Sequence, residues 1–286
     1  RPAAETAAPQ SGTGTPEELC GAGVPPAGWT GGSSSAIIIN SSVFPAGVEN
    51  RRIEGYGAGM CTLFFRHRPV EEYPLAILSN RDEQYGRPAD GWGWRGPGPD
   101  WFAPIDLEAG GTWIGLNRHG LVAALTNIFP SWEGAEFRSR GGLVTDMLRL
   151  EAAADAPAAM ADTLAQHSYN RFNILVADPQ KAFVFSWAGD QVETFDLRPG
   201  VYEVNNIAFD GIEKPNPSVT NERWLEREEG RLTEHPMVCR HGDGYGTRCS
   251  HKILVHKDGL EGSRIWHLDG HPCEGQFEQV LGEPGG

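Results

Sequence analysis

The feature that most constrains the fold is a series of short runs rich in β-branched and aromatic residues, recurring between positions 61 and 256. These runs are CTLFF, PLAILSN, TWIGLN, LVAALTN, FNILVAD, KAFVFSW, VETFDL, VYEVNN and HKILVH. Turn-forming stretches such as NRHG and DPQK separate neighbouring runs and predict hairpins. Several runs are apolar at consecutive positions, which predicts sheets that are covered on both faces.

Two segments predict amphipathic helices. In residues 141–167 apolar side chains recur at helical spacing, and the pattern restarts after Pro157. Residues 218–232, SVTNERWLEREEGRL, begin with Ser218 or Thr220 as the N-cap. Many strands with few helices predict an α+β fold in which helices flank antiparallel sheets.

Residues 1–59 differ in composition from the rest of the chain. They are rich in Gly, Pro, Ser, Thr and Ala, which predicts a flexible extension. Three interpretations remain open: a linker, a removable propeptide, or upstream sequence wrongly joined to a gene that starts at Met60. We therefore expect a folded domain over residues 60–286.

Charge and composition limit the classes of molecule that this chain is expected to bind. The formal net charge of −14 argues against non-specific binding to nucleic acid or anionic membranes. No run of about 18 apolar residues predicts a transmembrane segment. The five cysteines, an odd number without framework spacing, favour reduced thiols in a cytoplasmic protein. We expect a small-molecule or lipid-like ligand, and the sequence leaves the oligomeric state open.

Polar side chains stand where several predicted strands end. Arg81 and Asp82 follow PLAILSN, Asn127 ends LVAALTN, and Asn206 ends VYEVNN. Arg248 follows a glycine-rich turn. Catalytic and ligand-binding residues often occupy such positions, and a side-chain amide there can donate a hydrogen bond to an oxyanion. Each position also fits a surface turn or a strand cap.

Two Cys-x-His pairs suggest a metal site near the C-terminus. The four residues are Cys239, His241, Cys249 and His251. Alternate residues of a strand share a face, so a hairpin could bring all four to tetrahedral zinc spacing. Reduced thiols without a metal, or a Cys239–Cys249 disulfide after oxidation, remain the alternatives.

The dipeptide Met60-Cys61 raises a chemical question. If Met60 were the first residue, ordinary methionine removal would leave Cys61 as the N-terminus. One residue would then carry both a nucleophilic thiol and a free amine that can act as its base. Attached preceding residues would block that chemistry.

Taken together, the motifs MCTLFF, NRDEQYGRP, GGTWIGLNRHGLVAALTN, RSRGGLV, YNRFNILVAD, PGVYEVNN and GYGTR resemble the NRDE family of transport-and-Golgi-organisation proteins. The resemblance covers residues 60–255. The family is similar to N-terminal-nucleophile hydrolases, which implies a four-layer αββα sandwich of two antiparallel sheets between helices.

The resemblance also implies roles for individual residues. Cys61 resembles the nucleophile, and Arg81 the arginine beside its thiol. Asn127 and Asn206 resemble oxyanion-site amides, and Arg248 a distal arginine that closes the pocket. The implied activity is hydrolysis of an amide or ester bond, with Arg81 favouring the thiolate.

The acid that orients the amine departs from the family pattern. In the related hydrolases a carboxylate lies three residues past the arginine, where this chain has Gln84. Asp82 and Glu83 lie closer, and Asp82 is the residue we assign to this role.

Two other functions remain open. Eukaryotic family members are linked to haem trafficking and lipid homeostasis, which implies a non-catalytic carrier with Cys61 and His119 as candidate haem contacts. No cofactor is required for hydrolysis. The Trp residues at 92, 94, 101 and 113 suggest either a lid or rim of a pocket, or packing of a long loop. The Cys-x-His pairs suggest a zinc-stabilised binding module.

Overall fold

The computed structural model describes residues 61–98, 100–132, 137–189, 191–213 and 239–282. The strands of this part of the chain are β1 (Thr62–His67), β2 (Leu75–Gln84), β3 (Ala89–Arg95), β4 (Trp101–Asp106), β5 (Ile114–Asn117), β6 (Val122–Asn127), β7 (Phe172–Ala177), β8 (Ala182–Trp187), β9 (Val192–Asp196), β10 (Gly200–Val204), β11 (Tyr245–His256), β12 (Gly259–Asp269) and β13 (Glu278–Leu281). Its helices are α1 (Arg140–Met147), a 3₁₀ helix (Ala153–Asp155) and α2 (Ala156–Gln166).

The strands form two antiparallel sheets. The seven-stranded sheet follows chain order, β3-β4-β5-β6-β7-β8-β9, so each strand pairs with the next one along the chain. The six-stranded sheet has the order β10-β1-β2-β11-β12-β13, in which distant segments meet. This second arrangement places β2 between β1 and β11, so the start of β1 lies beside the end of β2.

The main core lies between the two sheets. Phe65 of β1 and Ile77 of β2 pack in one cluster with Val122 of β6 and Leu175 of β7. All four side chains are fully buried or nearly so. Consecutive buried positions in β1 and β2 are explained by a second cluster on the outer face of the six-stranded sheet, which contains Phe64.

The helices cover the outer face of the seven-stranded sheet. Leu143 and Met147 of α1, with Met160 and Leu164 of α2, pack against residues of β4 and β6–β9. The two sheets and this helical layer confirm the α+β fold class. The helix expected at residues 218–232 lies outside the described residues. No helix of the described chain is long and apolar enough to cross a bilayer.

All nine apolar runs form strands, but the tryptophan-rich stretch was misjudged. We expected a lid or a long loop; instead Trp92 and Trp94 lie on β3 and Trp101 lies on β4, which form a hairpin. Neighbouring glycines and prolines hid the strand signal, and β3 is an edge strand with many exposed positions. Strands β12 and β13 were also missed.

Candidate active site

A cavity of about 370 Å³ opens where β1 begins, β2 and β6 end, and α1 begins. Its lining is strongly charged. The lining residues are Cys61, Arg81, Asp82, Glu83, Arg87, Asp106, Ala109, Gly111, Thr112, Trp113, Leu125, Asn127, Phe137, Arg138, Ser139, Arg140, Gly141 and Asn170. The fold therefore brings together four of the six residues that the sequence assigned to catalysis.

Cys61 lies directly before β1 and is partly buried. Thr62 pairs with Asn80, which places Cys61 opposite Arg81. The Cys61 thiol donates to the backbone carbonyl of Asp82 at 3.5 Å. Burial raises the pKa of Cys61 to about 12, and the negative charge of Asp82 acts in the same direction. With Met60 attached, the thiol is therefore neutral at physiological pH.

Arg81 does not hold Cys61 as a thiolate. Its positive charge does lower the pKa of Cys61, but burial and Asp82 outweigh that effect. The Arg81 guanidinium is instead paired with Asp106 at 3.1 Å and stacked 4.3 Å from the centre of the Trp113 ring. Arg81 therefore favours the Cys61 thiolate, but in this geometry it is not sufficient to activate Cys61.

The Asp82 carboxylate lies on the opposite face of β2 from Arg81. Leu75 and Ile77 pack between the sheets whereas Ala76 packs outside, and side chains alternate along a strand. The Thr247 hydroxyl donates to Asp82 Oδ1 at 2.7 Å. Asp82 thus reaches Cys61 through its carbonyl rather than through its carboxylate.

Burial raises the pKa of Asp82 to about 6, although the Thr247 hydroxyl and the Arg240 charge oppose the shift. Arg240 Nε lies 3.7 Å from Asp82 Oδ2. Gln84, the position of the family acid, is exposed. Glu83 lines the cavity on the same face as Arg81, with 3.9 Å between Arg81 Nη2 and Glu83 Oε2. Glu83 is therefore better placed than Asp82 to contact an amine at Cys61.

The two predicted oxyanion asparagines have different surroundings. Asn127 lines the cavity, and its side-chain amide makes no hydrogen bond to any described residue, so it can donate to a bound ligand. Asn206 is buried outside the cavity lining. Its side-chain nitrogen donates to the backbone carbonyl of Asn127. Asn206 therefore positions Asn127 rather than facing the same space.

Arg248 lies in a neighbouring cavity of about 140 Å³ and not in the one that contains Cys61. Arg81 and Trp113 line both cavities and separate them. Arg248 stands at a β-bulge of β11, where the register against β2 shifts. An arginine that closes the Cys61 pocket is therefore not seen at this position.

Sequence reasoning missed Arg140. It is the first residue of α1 and lines the cavity, and it forms no ion pair with the described residues. Its Nη1 donates to the backbone carbonyl of Arg171 at 2.8 Å. Burial lowers the pKa of Arg140 to about 10, and an ionised Cys61 would raise it. An arginine at a helix N-terminus opposes the helix dipole. That local conflict within RSRGGLV was the signal that could have identified Arg140.

The candidate haem contact His119 is not part of this site. It lies in the exposed turn between β5 and β6 and is absent from the cavity lining. Cys61 and His119 therefore do not form a joint ligand pair in this structure.

The two Cys-x-His pairs do not converge. Cys249 and His251 are buried on β11, with 3.5 Å between Cys249 Sγ and His251 Nε2. The indole nitrogens of Trp92 and Trp113 each lie 3.0 Å from a nitrogen of His251. Burial holds the pKa of His251 well below its usual range. His251 serves as a neutral polar contact between the sheets, which corrects the expected four-residue zinc set.

Comparison with known proteins identifies the family. Residues 60–225 match the model of Transport and Golgi organisation 2. The chain belongs to this family. The Transport and Golgi organization protein 2 homolog of Homo sapiens is 29% identical over 254 residues, covering 70% of this chain and 90% of the human protein. A Mus musculus homolog is 35% identical over 165 residues, covering 53% of this chain and 58% of the mouse protein. The family resemblance inferred from the motifs is confirmed.

Two hydrolases of known structure are similar to this chain at low sequence identity. A Caenorhabditis elegans N-acylethanolamine-hydrolyzing acid amidase ortholog is 13% identical with a TM-score of 0.43, covering 69% of this chain and 93% of that chain. A mutant conjugated bile acid hydrolase from Clostridium perfringens is 8% identical with a TM-score of 0.42, covering 78% of this chain and 97% of that chain.

Proposed function

We propose that this protein is a cysteine acyl hydrolase that acts when Cys61 is the N-terminal residue. The observation that carries the proposal is the position of Cys61 at the start of β1, with its thiol in a cavity that also contains Asn127 and Arg140. The nucleophile, the amide donor and the cation therefore line one cavity that is large enough for a small acyl substrate.

A free α-amine at Cys61 would supply the missing base. The thiol with Met60 attached has a pKa of about 12 and needs a proton acceptor. No histidine lines the cavity in the described part of the chain. An α-amine has an ordinary pKa near ~8 and would sit on the same residue as the thiol. Exposure of Cys61 as the N-terminal residue would therefore create the catalytic base.

The proposed reaction has two steps and uses water as the second substrate. The α-amine takes the thiol proton, and Sγ attacks the carbonyl carbon to form a tetrahedral oxyanion that accepts a hydrogen bond from Asn127. Collapse breaks the C–N or C–O bond, and the ammonium gives its proton to the leaving group. Water then hydrolyses the Cys61 thioester, releasing the acid and restoring the thiol.

Arg140 indicates an anionic substrate. The other cavity arginines have carboxylate partners: Arg81 and Arg87 pair with Asp106, and Arg138 pairs with Asp146 at 2.6 Å. Arg140 has no carboxylate partner within the described chain. A substrate carboxylate or phosphate near the scissile bond would provide that partner.

Intact mass and N-terminal sequencing of the protein expressed from its native gene test the first requirement. A recombinant chain that begins at Cys61 should form a thioester adduct with acyl p-nitrophenyl esters and turn them over, whereas the chain with Met60 attached should not. Asn127→Ala should lower kcat by about 10²–10³. Equal turnover by both chains, or by Cys61→Ala, would contradict the mechanism.

A carrier of haem or of a lipid-like ligand is the second candidate. The observation that favours it is the open cavity with Arg140, which exists even when the Cys61 amine is blocked. Haem carries carboxylates that suit this cation. Titration of the chain retaining Met60 should give a Soret shift that Cys61→Ala removes and His119→Ala leaves unchanged. A flat spectrum at micromolar haem counts against this candidate.

A further inference from the structure

A second chemical cluster lies apart from the Cys61 cavity. It joins the segment before β11 to the loop between β12 and β13. Cys239 Sγ lies 3.0 Å from Cys273 Sγ and 3.3 Å from His241 Nε2, and His241 Nε2 lies 3.0 Å from Cys273 Sγ. Three metal-ligating atoms, two from one segment and one from a segment more than 30 residues later, therefore converge on one point. Both cysteines are free thiols.

These distances are close to those around a tetrahedral Zn²⁺ ion. Zn–S bonds of about 2.3 Å and Zn–N bonds of about 2.0 Å place two sulfurs about 3.8 Å apart, and sulfur and nitrogen about 3.6 Å apart. An outward movement of less than about 1 Å per atom would admit the ion. A Cys239–Cys273 disulfide would use only two of the three atoms and would not explain the approach of His241 to both.

His271 is the fourth candidate ligand. Its ring stacks on that of His241 with 3.9 Å between ring centres. A ligand atom of His271 lies within 4.8 Å of those of Cys239 and His241. Its Nδ1 is buried and makes no hydrogen bond to any residue within the described ranges. A buried imidazole nitrogen that has no hydrogen-bond partner is expected where a metal-binding histidine has no metal bound.

Glu274 supplies a partner for the outer side of His241. Its Oε1 lies 4.0 Å from His241 Nδ1, while His241 Nε2 faces the two sulfurs. Metal-bound histidines commonly donate their second nitrogen to a carboxylate, which fixes the ring orientation. The Glu274 carboxylate also lies within 4.8 Å of ligand atoms of His241 and Cys273, and we assign it to orient His241 because two thiols and two imidazoles already make four ligands.

We propose that the two thiolates and two imidazoles of this cluster bind one Zn²⁺ ion. The ion would tie the segment before β11 to the β12–β13 loop. Arg240 lies between two of the ligands, and its backbone N–H and carbonyl pair with Thr247, which holds Asp82. Zinc binding would thus fix the segment that flanks the outer side of the Cys61 site.

Metal content of the full chain tests the proposal. The protein is purified under reducing conditions, incubated with ZnSO₄ alone and desalted. Its zinc content is then measured by elemental mass spectrometry. We expect one zinc per chain, falling more than about tenfold in Cys273→Ser and His271→Ala. Glu274→Gln should retain the ion with affinity reduced by about tenfold. Cys249→Ala, which removes the remaining cysteine of this region, should leave zinc content unchanged.

Cobalt substitution keeps the test independent of variant folding. Co²⁺ bound by the unaltered chain should show tetrahedral d–d bands and sulfur-to-cobalt charge transfer from two thiolates. Absence of zinc from the reduced, Zn²⁺-treated chain, an octahedral cobalt spectrum, or an equal zinc loss in Cys249→Ala would each overturn the assignment. A Cys239–Cys273 disulfide that persists in the reduced protein would do the same.

Discussion

Replacing Asp82 by asparagine should change how the stability of this protein depends on pH. Asp82 is 4% exposed, and burial raises the pKa of its carboxyl from 3.8 to about 6. The asparagine side chain would keep an oxygen to accept the Thr247 hydroxyl, so the substitution preserves the main contact at this position. The variant isolates the energetic effect of the buried charge.

The sign and size of this change in stability follow from the linkage between proton binding and folding. A carboxyl whose pKa is raised by folding contributes stability below its unfolded pKa, and that contribution is lost as pH rises through the folded value. A shift of about two units corresponds to about 3 kcal/mol. The free energy of unfolding of Asp82→Asn, relative to the unaltered chain, should therefore rise by about 2 kcal/mol between pH 4 and pH 7.

Urea unfolding followed by tryptophan fluorescence at unit pH steps measures this difference. Asp243→Asn controls for the loss of one negative charge, because Asp243 is exposed near the same end of β11. Thr247→Val should steepen the pH dependence, since the Thr247 hydroxyl lowers the pKa of Asp82. Parallel stability profiles for the unaltered chain and Asp82→Asn would refute the reasoning.

Three further predictions concern packing and reactivity. Asn117→Ala should lower the free energy of unfolding by about 3 kcal/mol, and urea unfolding measures the loss. This buried side chain accepts hydrogen bonds from two backbone N–H groups and donates hydrogen bonds to two backbone carbonyls after α1. Gly111→Ala should destabilise by about 1–3 kcal/mol since its Cβ would overlap the backbone of Gly141, whereas Gly86→Ala has open space and serves as the control in the same assay. When Met60 is attached, iodoacetamide should modify Cys61 about 100-fold more slowly than free cysteine at pH 8. The raised pKa lowers the thiolate fraction by more than about 10³, and the greater nucleophilicity of a more basic thiolate recovers only part of the rate. Peptide mass spectrometry gives the two rates, and comparable rates would contradict a buried, neutral thiol.

The strands were predictable where a run of apolar residues is uninterrupted. Runs such as FNILVAD are buried at every strand position, so their pattern and their structure agree. The β3–β4 hairpin was not predictable because its glycines and prolines resemble a loop, and its pairing is stabilised by contacts with distant residues. Trp92, for example, contacts His251, which lies 159 positions later in the chain.

The site was predictable in outline and not in its pairings. The strand-end positions of Arg81 and Asn127 are visible in the sequence, and the alternation of β2 already places the side chains of Arg81 and Asp82 on opposite faces. The partner of Arg81, Asp106, lies on a strand that was missed. The approach of Cys239 to Cys273 depends on the β11–β12 pairing, which no local pattern specifies.

The chemistry of Cys61 depends on whether the residue carries a free amine. With Met60 attached, burial and the charge of Asp82 both favour the neutral thiol, and the peptide nitrogen cannot accept its proton. Release of the amine would place a proton acceptor on the same residue, and the ammonium formed when it takes the thiol proton would stabilise the thiolate. One cleavage would thus add a base and reverse part of the electrostatic penalty together. Because the cavity, Asn127 and Arg140 are already in place, the state of the N-terminus would, under the proposed function, decide whether this site only binds a ligand or also hydrolyses it.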